Sequence, residues 1–153
     1  MKRTKHIKTG RDCFVSIFRS QAPVDKIIIS LGTNDLQLKY NKSHKDIISD
    51  LIWYKHTVEN IYIDEDDRKK YFVDKKMPEF IYILPFNFDY KVNASVIFDE
   101  GREKERVAIV KEFKKYAGNV KVIALNDIPL FDDGIHLNYE GNNQLAKIIM
   151  EEL

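Results

Sequence analysis

The sequence predicts an α/β domain in which a parallel β-sheet is covered by helices on both sides. Three short apolar runs have the composition of strands buried on both faces, and segments with helical spacing of apolar residues separate them. Strands that alternate with helices imply right-handed crossovers and a parallel sheet. The length of 153 residues fits a single domain, and 44% hydrophobic residues supply its core.

The first half of the chain supplies one strand and two helices. Residues 10–21 form a predicted helix whose inward-facing residues are Phe14, Ile17 and Phe18. Residues 26–31 form an unbroken β-branched strand that stops at Gly32. A long helix capped by Ser43 follows, with a broad apolar stripe of Ile47, Ile48, Leu51, Ile52 and Val58. Segment 64–70 mixes both charge signs and is interpreted as a solvated excursion.

The second half supplies two more strands and two more helices. Residues 80–84 form a buried strand ended by Pro85, and residues 120–125 form the third strand. Between them, a helix over residues 103–116 ends at Gly118 and turns three residues inward, Val107, Val110 and Phe113. The last helix covers residues 139–152, and one of its faces carries Leu145, Ile148 and Ile149.

Composition excludes several functional classes. Lys plus Arg is 25 and Asp plus Glu is 24, so charge gives no reason to expect nucleic acid or an anionic membrane as a partner. The single cysteine, Cys13, excludes an internal disulfide and a cysteine-based zinc site, and its apolar helical neighbours predict a buried, inert thiol. No apolar run reaches the roughly 18 residues of a membrane span. We expect a cytoplasmic chain as given, although a lost upstream segment could have carried a signal peptide.

Two loops at the carboxyl ends of strands carry the chemistry, because ligands of open α/β sheets bind there. The first loop is Gly32-Thr33-Asn34-Asp35, directly after the first strand. Glycine lets the backbone turn sharply and approach a ligand closely, and the amide of Asn34 can donate hydrogen bonds to a developing oxyanion. Taken alone, such a turn also fits residues that merely form the turn or cap a helix.

The second loop precedes the last helix and reads Asp132-Asp133-Gly134-Ile135-His136-Leu137-Asn138. A tight turn through Gly134 can bring the Asp133 carboxylate to Nδ1 of His136. That contact would fix the tautomer and leave Nε2 as a general base. A capping role for this loop is the alternative. A metal site of Asp132, Asp133 and His136 lacks dedicated ligand spacing, so no metal is predicted.

The two loops together resemble the conserved blocks of SGNH hydrolases, the GDSL-type esterases and lipases. The segment Ile29 to Asp35 is similar to the Gly-x-Asn-Asp block, and Asp133 to Asn138, followed by Glu140-Gly141, is similar to the final Asp-x-x-His block. Arg3-Thr4 and the approach 22–25 also stand where related esterases carry similar residues. The resemblance covers essentially the whole chain.

The resemblance implies a three-layer, flavodoxin-like α/β/α fold that hydrolyses carboxylic esters or deacetylates sugars by a Ser-His-Asp mechanism. It places Asn34 in the oxyanion hole with support from Gly32, His136 as the general base and Asp133 as its orienting carboxylate. No cofactor is implied, and no Gly-x-Gly-x-x-Gly segment supports a dinucleotide. The expected partner is a small ester substrate.

The family's nucleophilic serine has no counterpart in this sequence. No Gly-Asp-Ser occurs, and the second block's oxyanion glycine is also absent, so the chain resembles the family without its first strand. The remaining serines are predicted to be structural: Ser16, Ser20, Ser30, Ser43, Ser49 and Ser95. Loss of the nucleophile costs on the order of a million-fold in turnover, so we expect the chain alone to be nearly inert.

Two interpretations therefore remain. The chain is an incomplete ester hydrolase domain, or it is a non-catalytic binding module that keeps the hydrolase scaffold. In either case, strand 26–31 is expected to leave an unpaired edge on which a complementing chain or a second copy could add a strand. The sequence does not choose among a fragment, a split enzyme and an oligomer.

Overall fold

The computed structural model describes residues 10–92 and 97–153, so Arg3, Thr4 and Ser95 lie outside the described residues. The chain divides into two compact units, one formed by residues 1–27 and 53–79 and the other by residues 28–52 and 80–153. The boundaries between the units fall within two strands and one helix, and the expectation of a single domain over residues 1–153 stays a prediction. None of the described helices is long and apolar enough to span a membrane.

Aromatic packing builds the first unit. Helix α1 (Gly10–Ser20) turns Phe14 and Phe18 toward the second half of helix α2 (His44–Ile63) and toward the short helix α3 (Glu65–Tyr71). The Phe14 ring lies 4.9 Å from the Tyr54 ring, and the Phe18 ring lies 6.2 Å from that of Tyr71. These edge and tilted contacts are the geometries that ring quadrupoles favour. The i, i+4 pair of phenylalanines thus fixes the inward face of α1.

Two expectations for this unit were wrong, and a third was confirmed. Ile17 is 54% exposed, because Phe14 and Phe18 alone define the packed face of α1. Cys13 is exposed on the other side of the same helix, so its thiol is not buried. Most of the charged segment 64–70 is exposed, as predicted for a solvated excursion, and it forms helix α3, whose first turn is capped by the Asp64 carboxylate accepting from the N–H groups of Asp66 and Asp67.

The second unit is built on a three-stranded sheet. Its strands are β1 (Lys26–Ser30), β2 (Glu79–Ile83) and β3 (Lys121–Ile123), in the spatial order β1-β2-β3. Strands β2 and β3 are parallel, with Ile81 opposite Lys121 and Ile83 opposite Ile123. Residues 80–83 of the central strand are buried, as predicted. The β3 strand is shorter than the predicted 120–125.

Helices cover both faces of this sheet. Ile81, Ile83 and Ile123 form one face, on which helix α5 (Tyr139–Glu152) packs Leu145, Ile148 and Ile149, as the sequence predicts. Tyr82 points to the other face, because successive residues of a strand alternate. Its ring lies 4.8 Å from that of Phe113 in helix α4 (Glu100–Ala117), and its hydroxyl donates to the carbonyl of Leu51 in α2.

The predicted burial of β1 on both faces was wrong. Ile29 is only 6% exposed, whereas Ile28 is 40% exposed and Ser30 is also exposed. Among the described strands, β1 lies at the edge of the sheet and has β2 as its one neighbour. An unbroken β-branched run therefore does not require a central position, and Ser30 does not lie in a buried strand.

The inward face of α4 also differs from the expectation. Phe113 is fully buried, but Val107 is 49% exposed. The buried positions are 106, 109, 113 and 117, which repeat at the three- and four-residue spacing of one helical face. Position 106 is an arginine, so apolar periodicity could not include it.

Candidate active site

The first candidate loop turns sharply at Gly32. Its φ of +106° is a left-handed value that favours glycine, and a Cβ on this residue would lie 3.1 Å from Cγ of Pro85. The carbonyl of Gly32 accepts from the N–H groups of Asp35 and Leu36 at 3.1 and 3.3 Å. Leu36 is fully buried, which anchors the 3₁₀ turn Asn34–Leu36 to the second unit. Gly32 is thus required where the backbone leaves β1.

Asn34 opens this 3₁₀ turn with its side chain exposed. Its Oδ1 accepts a hydrogen bond of 3.0 Å from Nε2 of Gln37. Within the described part of the chain, no hydrogen bond from Nδ2 of Asn34 is seen. An amide nitrogen carries two donor hydrogens, so this end of Asn34 remains able to donate to a ligand.

Asp35 forms an ion pair with Lys42. Nζ of Lys42 lies 2.6 Å from Oδ1 of Asp35 and 2.7 Å from Oδ2 of Asp50 in α2. Partial burial opposes the charge of Lys42, but the hydrogen bonds to the two carboxylates outweigh it and raise the pKa of the ammonium. The carbonyl of Lys42 also accepts from Nη1 of Arg102 at 2.8 Å, so the turn is tied to α2 and α4.

The second candidate loop is a tight hairpin before α5. Leu130 and Leu137 form an antiparallel bridge, and the N–H of Phe131 donates to the carbonyl of His136 at 2.8 Å. Gly134 stands at the turn with a φ of +70°, and a Cβ there would lie 2.6 Å from the backbone oxygen of Asp89. The hairpin therefore places residues 133 and 136 on the same tight turn.

Within this turn, Asp133 and His136 form a hydrogen-bonded pair. Oδ2 of Asp133 lies 2.6 Å from Nδ1 of His136, while its Oδ1 accepts from the N–H groups of Ile135 and His136 at 2.8 and 3.0 Å. The hydrogen bond from the imidazole, followed by those two backbone bonds, lowers the pKa of Asp133 to about 2. The carboxylate is thus ionised at neutral pH and accepts a hydrogen bond from Nδ1. The other ring nitrogen, Nε2, takes no part in this bond.

The imidazole is open to solvent. The side chain of His136 is 75% exposed, and no contact of its Nε2 with another residue in the described ranges is seen. A neutral imidazole whose Nδ1 carries the proton has a basic lone pair on Nε2. This atom can therefore accept a proton from an incoming hydroxyl group.

The two loops lie at the same end of the sheet, where the strands reach their carboxyl ends. Gly32, just after β1, lies against Pro85, just after β2, and the N–H of Leu84 donates to the carbonyl of Ile123 at the end of β3. Farther along, the N–H of Asp89 donates to the carbonyl of Gly134 at 2.8 Å. The segment after β2 therefore contacts both candidate loops, and all three strands end at this edge.

Arg106 joins the segments that follow β2 and β3. The residue is 3% exposed, and its Nε and Nη2 lie 2.9 and 2.6 Å from the carboxylate of Glu103. Nη1 donates to Oδ1 of Asn126 at 3.1 Å and to the carbonyl of Pro85 at 3.5 Å. A buried guanidinium needs this many acceptors to offset its lost hydration.

Among the residues that the structure describes, no nucleophile contacts His136. Ser16, Ser20 and Ser49 are exposed on helices, and Ser43 donates to Asp46 at the start of α2. None of the described serines contacts the imidazole, and the described residues contain no cluster of three or more His, Cys, Asp or Glu side chains suited to a metal ion.

Three supporting residues were missed by the sequence analysis: Gln37, Lys42 and Arg106. The i, i+3 spacing of Asn34 and Gln37 was a usable signal, because residues three apart stand in line on a 3₁₀ turn. Lys42 gave no local signal, since its partners lie 7 and 8 residues away. Arg106 has a local partner in Glu103, three residues away on the same helix, but its acceptors Asn126 and Pro85 lie on other segments.

Comparison with solved structures shows which fold this is. The chain is similar to a carbohydrate acetylesterase from Sinorhizobium meliloti, with a TM-score of 0.72 and 21% identity over 99% of this chain and 70% of that one. It is also similar to the inhibitor-bound aryl esterase of M. smegmatis, with a TM-score of 0.68 and 19% identity over 99% and 72% of the two chains.

The chain has the fold of these esterases. A second carbohydrate acetylesterase family member from Sinorhizobium meliloti agrees, with a TM-score of 0.62 and 15% identity over 95% of this chain and 71% of that one. No protein-family model and no curated protein matches the chain. The predicted α/β fold is confirmed, while the roles of Asn34, Asp133 and His136 stay predictions.

Proposed function

We propose that this chain carries the general-base and oxyanion-binding parts of a carboxylic-ester hydrolase site. The observation that carries the proposal is the hydrogen bond of 2.6 Å between Asp133 and His136. It lies on an esterase fold, at the sheet edge that also carries Asn34. An imidazole oriented by a carboxylate is the base that acyl transfer needs, and the amide of Asn34 is the proposed oxyanion donor.

Each residue has one role in the proposed reaction. Nε2 of His136 accepts the proton of an attacking hydroxyl group as its oxygen forms a bond to the acyl carbon. The negative charge that develops on the carbonyl oxygen accepts a hydrogen bond from Nδ2 of Asn34. When the bond to the leaving alcohol breaks, the protonated Nε2 returns the proton to that oxygen. Asp133 stabilises the imidazolium and stays ionised throughout, as its pKa of about 2 requires.

No residue within 10–92 and 97–153 is seen to supply the attacking hydroxyl. No Gly-Asp-Ser occurs in the sequence, and no described serine contacts His136. Water, activated by His136, is then the nucleophile available to the chain alone. Turnover far below that of a complete serine hydrolase is expected.

Small acyl esters are the proposed substrates. The structures most useful for comparison are carbohydrate acetylesterases and aryl esterases, which supports an ester of a short acid, with a sugar or an aromatic alcohol as the leaving group. The exposed position of His136 gives such an ester direct access to Nε2.

Hydrolysis of p-nitrophenyl acetate by the full chain tests the proposal. A slow activity that falls in both His136→Ala and Asn34→Ala is expected. Lys45→Ala, an exposed position on α2, serves as the matched control and should retain the activity of the unaltered chain. Activity that survives both site substitutions unchanged would overturn the assigned roles.

The exposed edge of β1 favours a binding module as the second candidate. Among the described strands β1 has one neighbour, β2, and its Ile28 side chain is 40% exposed, which suits strand addition by another chain. Sedimentation at increasing concentration would show whether copies associate there. Ile28→Lys should abolish such association, and a monomer at every concentration, together with His136-dependent hydrolysis, would favour the hydrolase.

A further inference from the structure

Gln37 is fastened to Asn34 by two hydrogen bonds. Nε2 of Gln37 donates to Oδ1 of Asn34 at 3.0 Å, and the backbone N–H of Gln37 donates to the carbonyl of Asn34 at 3.2 Å. The 3₁₀ turn between them aligns residues three apart on one side. The side chain of Gln37 is therefore held where it meets only one end of the Asn34 carboxamide, the oxygen.

The two ends of that carboxamide have opposite effects on an oxyanion. The nitrogen only donates hydrogen bonds and would stabilise the developing negative charge, whereas the oxygen only accepts and would repel it. The terminal torsion of asparagine is broad and roughly two-fold, so the side chain by itself has little preference between these orientations. A neighbouring group must therefore select the orientation in which the nitrogen of Asn34 faces the oxyanion.

The other restraints on this loop do not make that selection. The buried Leu36 and the Lys42–Asp35 ion pair fix the position of the turn, but neither touches the carboxamide of Asn34. Among the described residues, Gln37 is the hydrogen-bond partner of that carboxamide.

We propose that Gln37 is a positioning residue that orients Asn34, engaging Oδ1 so that Nδ2 is the end presented to substrate. The catalytic consequence of this role rests on the proposed function, while the orientation itself does not. Gln37 acts through Asn34 and does not touch the reacting atoms.

Three substitutions of Gln37 distinguish a role in orienting the Asn34 carboxamide from a role in packing alone. Gln37→Glu keeps the size but offers only acceptors once ionised, so it should attract Nδ2 and turn the carboxamide over. Gln37→Lys keeps a donor for Oδ1 and should preserve the orientation. Gln37→Met removes the partner and should leave both orientations populated. Thermal unfolding identifies any variant whose fold is altered.

Side-chain amide NMR of the ¹⁵N-labelled full chain reads the orientation directly. The Asn34 resonances are assigned by their loss in Asn34→Asp. In the unaltered chain and in Gln37→Lys, the Nδ2 hydrogens of Asn34 should exchange rapidly with solvent. In Gln37→Glu at neutral pH, one of them should exchange about fivefold more slowly, which is the effect of one net hydrogen bond. Slow exchange at Asn34 already in the unaltered chain, or identical rates in Gln37→Glu, would overturn the proposal.

Kinetics of p-nitrophenyl acetate hydrolysis supply the second readout. Gln37→Glu should lower the His136-dependent kcat about tenfold or more with KM unchanged, because a transition-state donor is lost. Gln37→Lys should retain it. If the unaltered chain shows no His136-dependent hydrolysis, the proposed function fails and the NMR result alone decides the role of Gln37. An equal loss of kcat in Gln37→Lys and Gln37→Glu would contradict orientation by a donor.

Discussion

The carboxylate of Asp133 holds the imidazole of His136 at 2.6 Å although the His136 side chain is 75% exposed. An exposed pair of this kind would ordinarily be loose, since solvent competes for each partner. Here the same carboxylate also accepts from two backbone N–H groups of its own turn. These bonds fix the Asp133 side chain independently of its bond to the imidazole. The loop geometry therefore prepares a base without burying it.

The titration of Asp133 should reveal this arrangement. The pKa of its carboxyl is expected at about 2, against an ordinary value of 3.8, and should rise in His136→Ala because the imidazole is the largest cause of the shift. The rise should be incomplete, since both backbone donors remain. Side-chain carboxyl ¹³C shifts followed from pH 1 to 6, a window set by about two units either side of the ordinary value, measure it.

The sign of the pH dependence follows from that shift. Because folding lowers the pKa of Asp133, the folded chain binds fewer protons there than the unfolded chain. The stabilisation from this pair is present above the ordinary pKa of 3.8 and is lost as the pH falls through about 2. An Asp133 resonance that titrates near 3.8 in the unaltered chain would contradict the hydrogen-bonded pair.

Lys42→Met should loosen the loop that carries Asn34. It leaves Asp35 and Asp50 as neighbouring carboxylates without the ammonium between them. Because all three side chains are partly exposed, the loss in free energy of unfolding should be no more than about 1 kcal/mol. Hydrogen exchange of the backbone amides at residues 34–37 should nevertheless accelerate, and this local readout tests the clamp.

Lys42→Arg is the matched control for that experiment. Its guanidinium keeps the positive charge and several donors, so exchange in the loop should stay close to that of the unaltered chain. Equal acceleration in both variants would mean that the shape of the lysine, rather than its charge, holds the turn.

Gly134→Ala should damage the hairpin of the Asp133–His136 pair. An added Cβ would lie 2.6 Å from a backbone oxygen and 2.7 Å from Cγ2 of Val92, at a φ of +70°. Gly118→Ala is the matched control, because Gly118 has the same φ of +70° and no atom within 4 Å of the added Cβ. Urea unfolding should show a loss of about 1–3 kcal/mol from the backbone term alone in the control, whose ψ is −139°, and a larger loss in Gly134→Ala.

The ring resonances of His136 give an independent readout of the same pair of variants. They should shift in Gly134→Ala and stay in place in Gly118→Ala, because only the first substitution disturbs the hairpin. Unshifted resonances in Gly134→Ala would mean that the close approach to Asp89 does not position the imidazole.

The fold was predictable because its main signals are local. The apolar stripe of α2, the three apolar residues on one face of α5 and the buried β2 strand all follow the period of the element that bears them. The Gly32 turn and the Asp-x-x-His spacing were readable for the same reason, since each interaction spans only three or four residues. The spacing of such residues along the sequence is therefore enough to predict their contact.

Long-range features gave no such signal. The exposure of Ile28 depends on which strand ends the sheet, and the burial of Arg106 depends on acceptors at positions 85, 103 and 126. The exposed Val107 illustrates the same limit, because the apolar stripe of α4 is weak and one of the buried positions of this helix is the charged Arg106. Periodicity reports the apolar face of a helix and does not report a satisfied charge.

Arg106→Met should be the most destabilising of these substitutions. It removes a buried guanidinium and leaves Glu103, Asn126 and the carbonyl of Pro85 without this donor. Breaking one side of a buried ion pair costs about 3–5 kcal/mol, which is a large part of the stability of a small protein. Urea unfolding monitored by circular dichroism measures the loss.

The double variant Glu103→Met with Arg106→Met distinguishes the cause. If the cost of Arg106→Met comes from the uncompensated carboxylate, removing that carboxylate as well should restore part of the lost free energy of unfolding, because a buried pair can be replaced by apolar side chains at small cost. A double variant as unstable as the sum of the two single variants would instead assign the loss to Asn126 and Pro85. In that case, the guanidinium acts chiefly by joining the segments that follow β2 and β3, and Arg106→Met should also shift the ring resonances of His136.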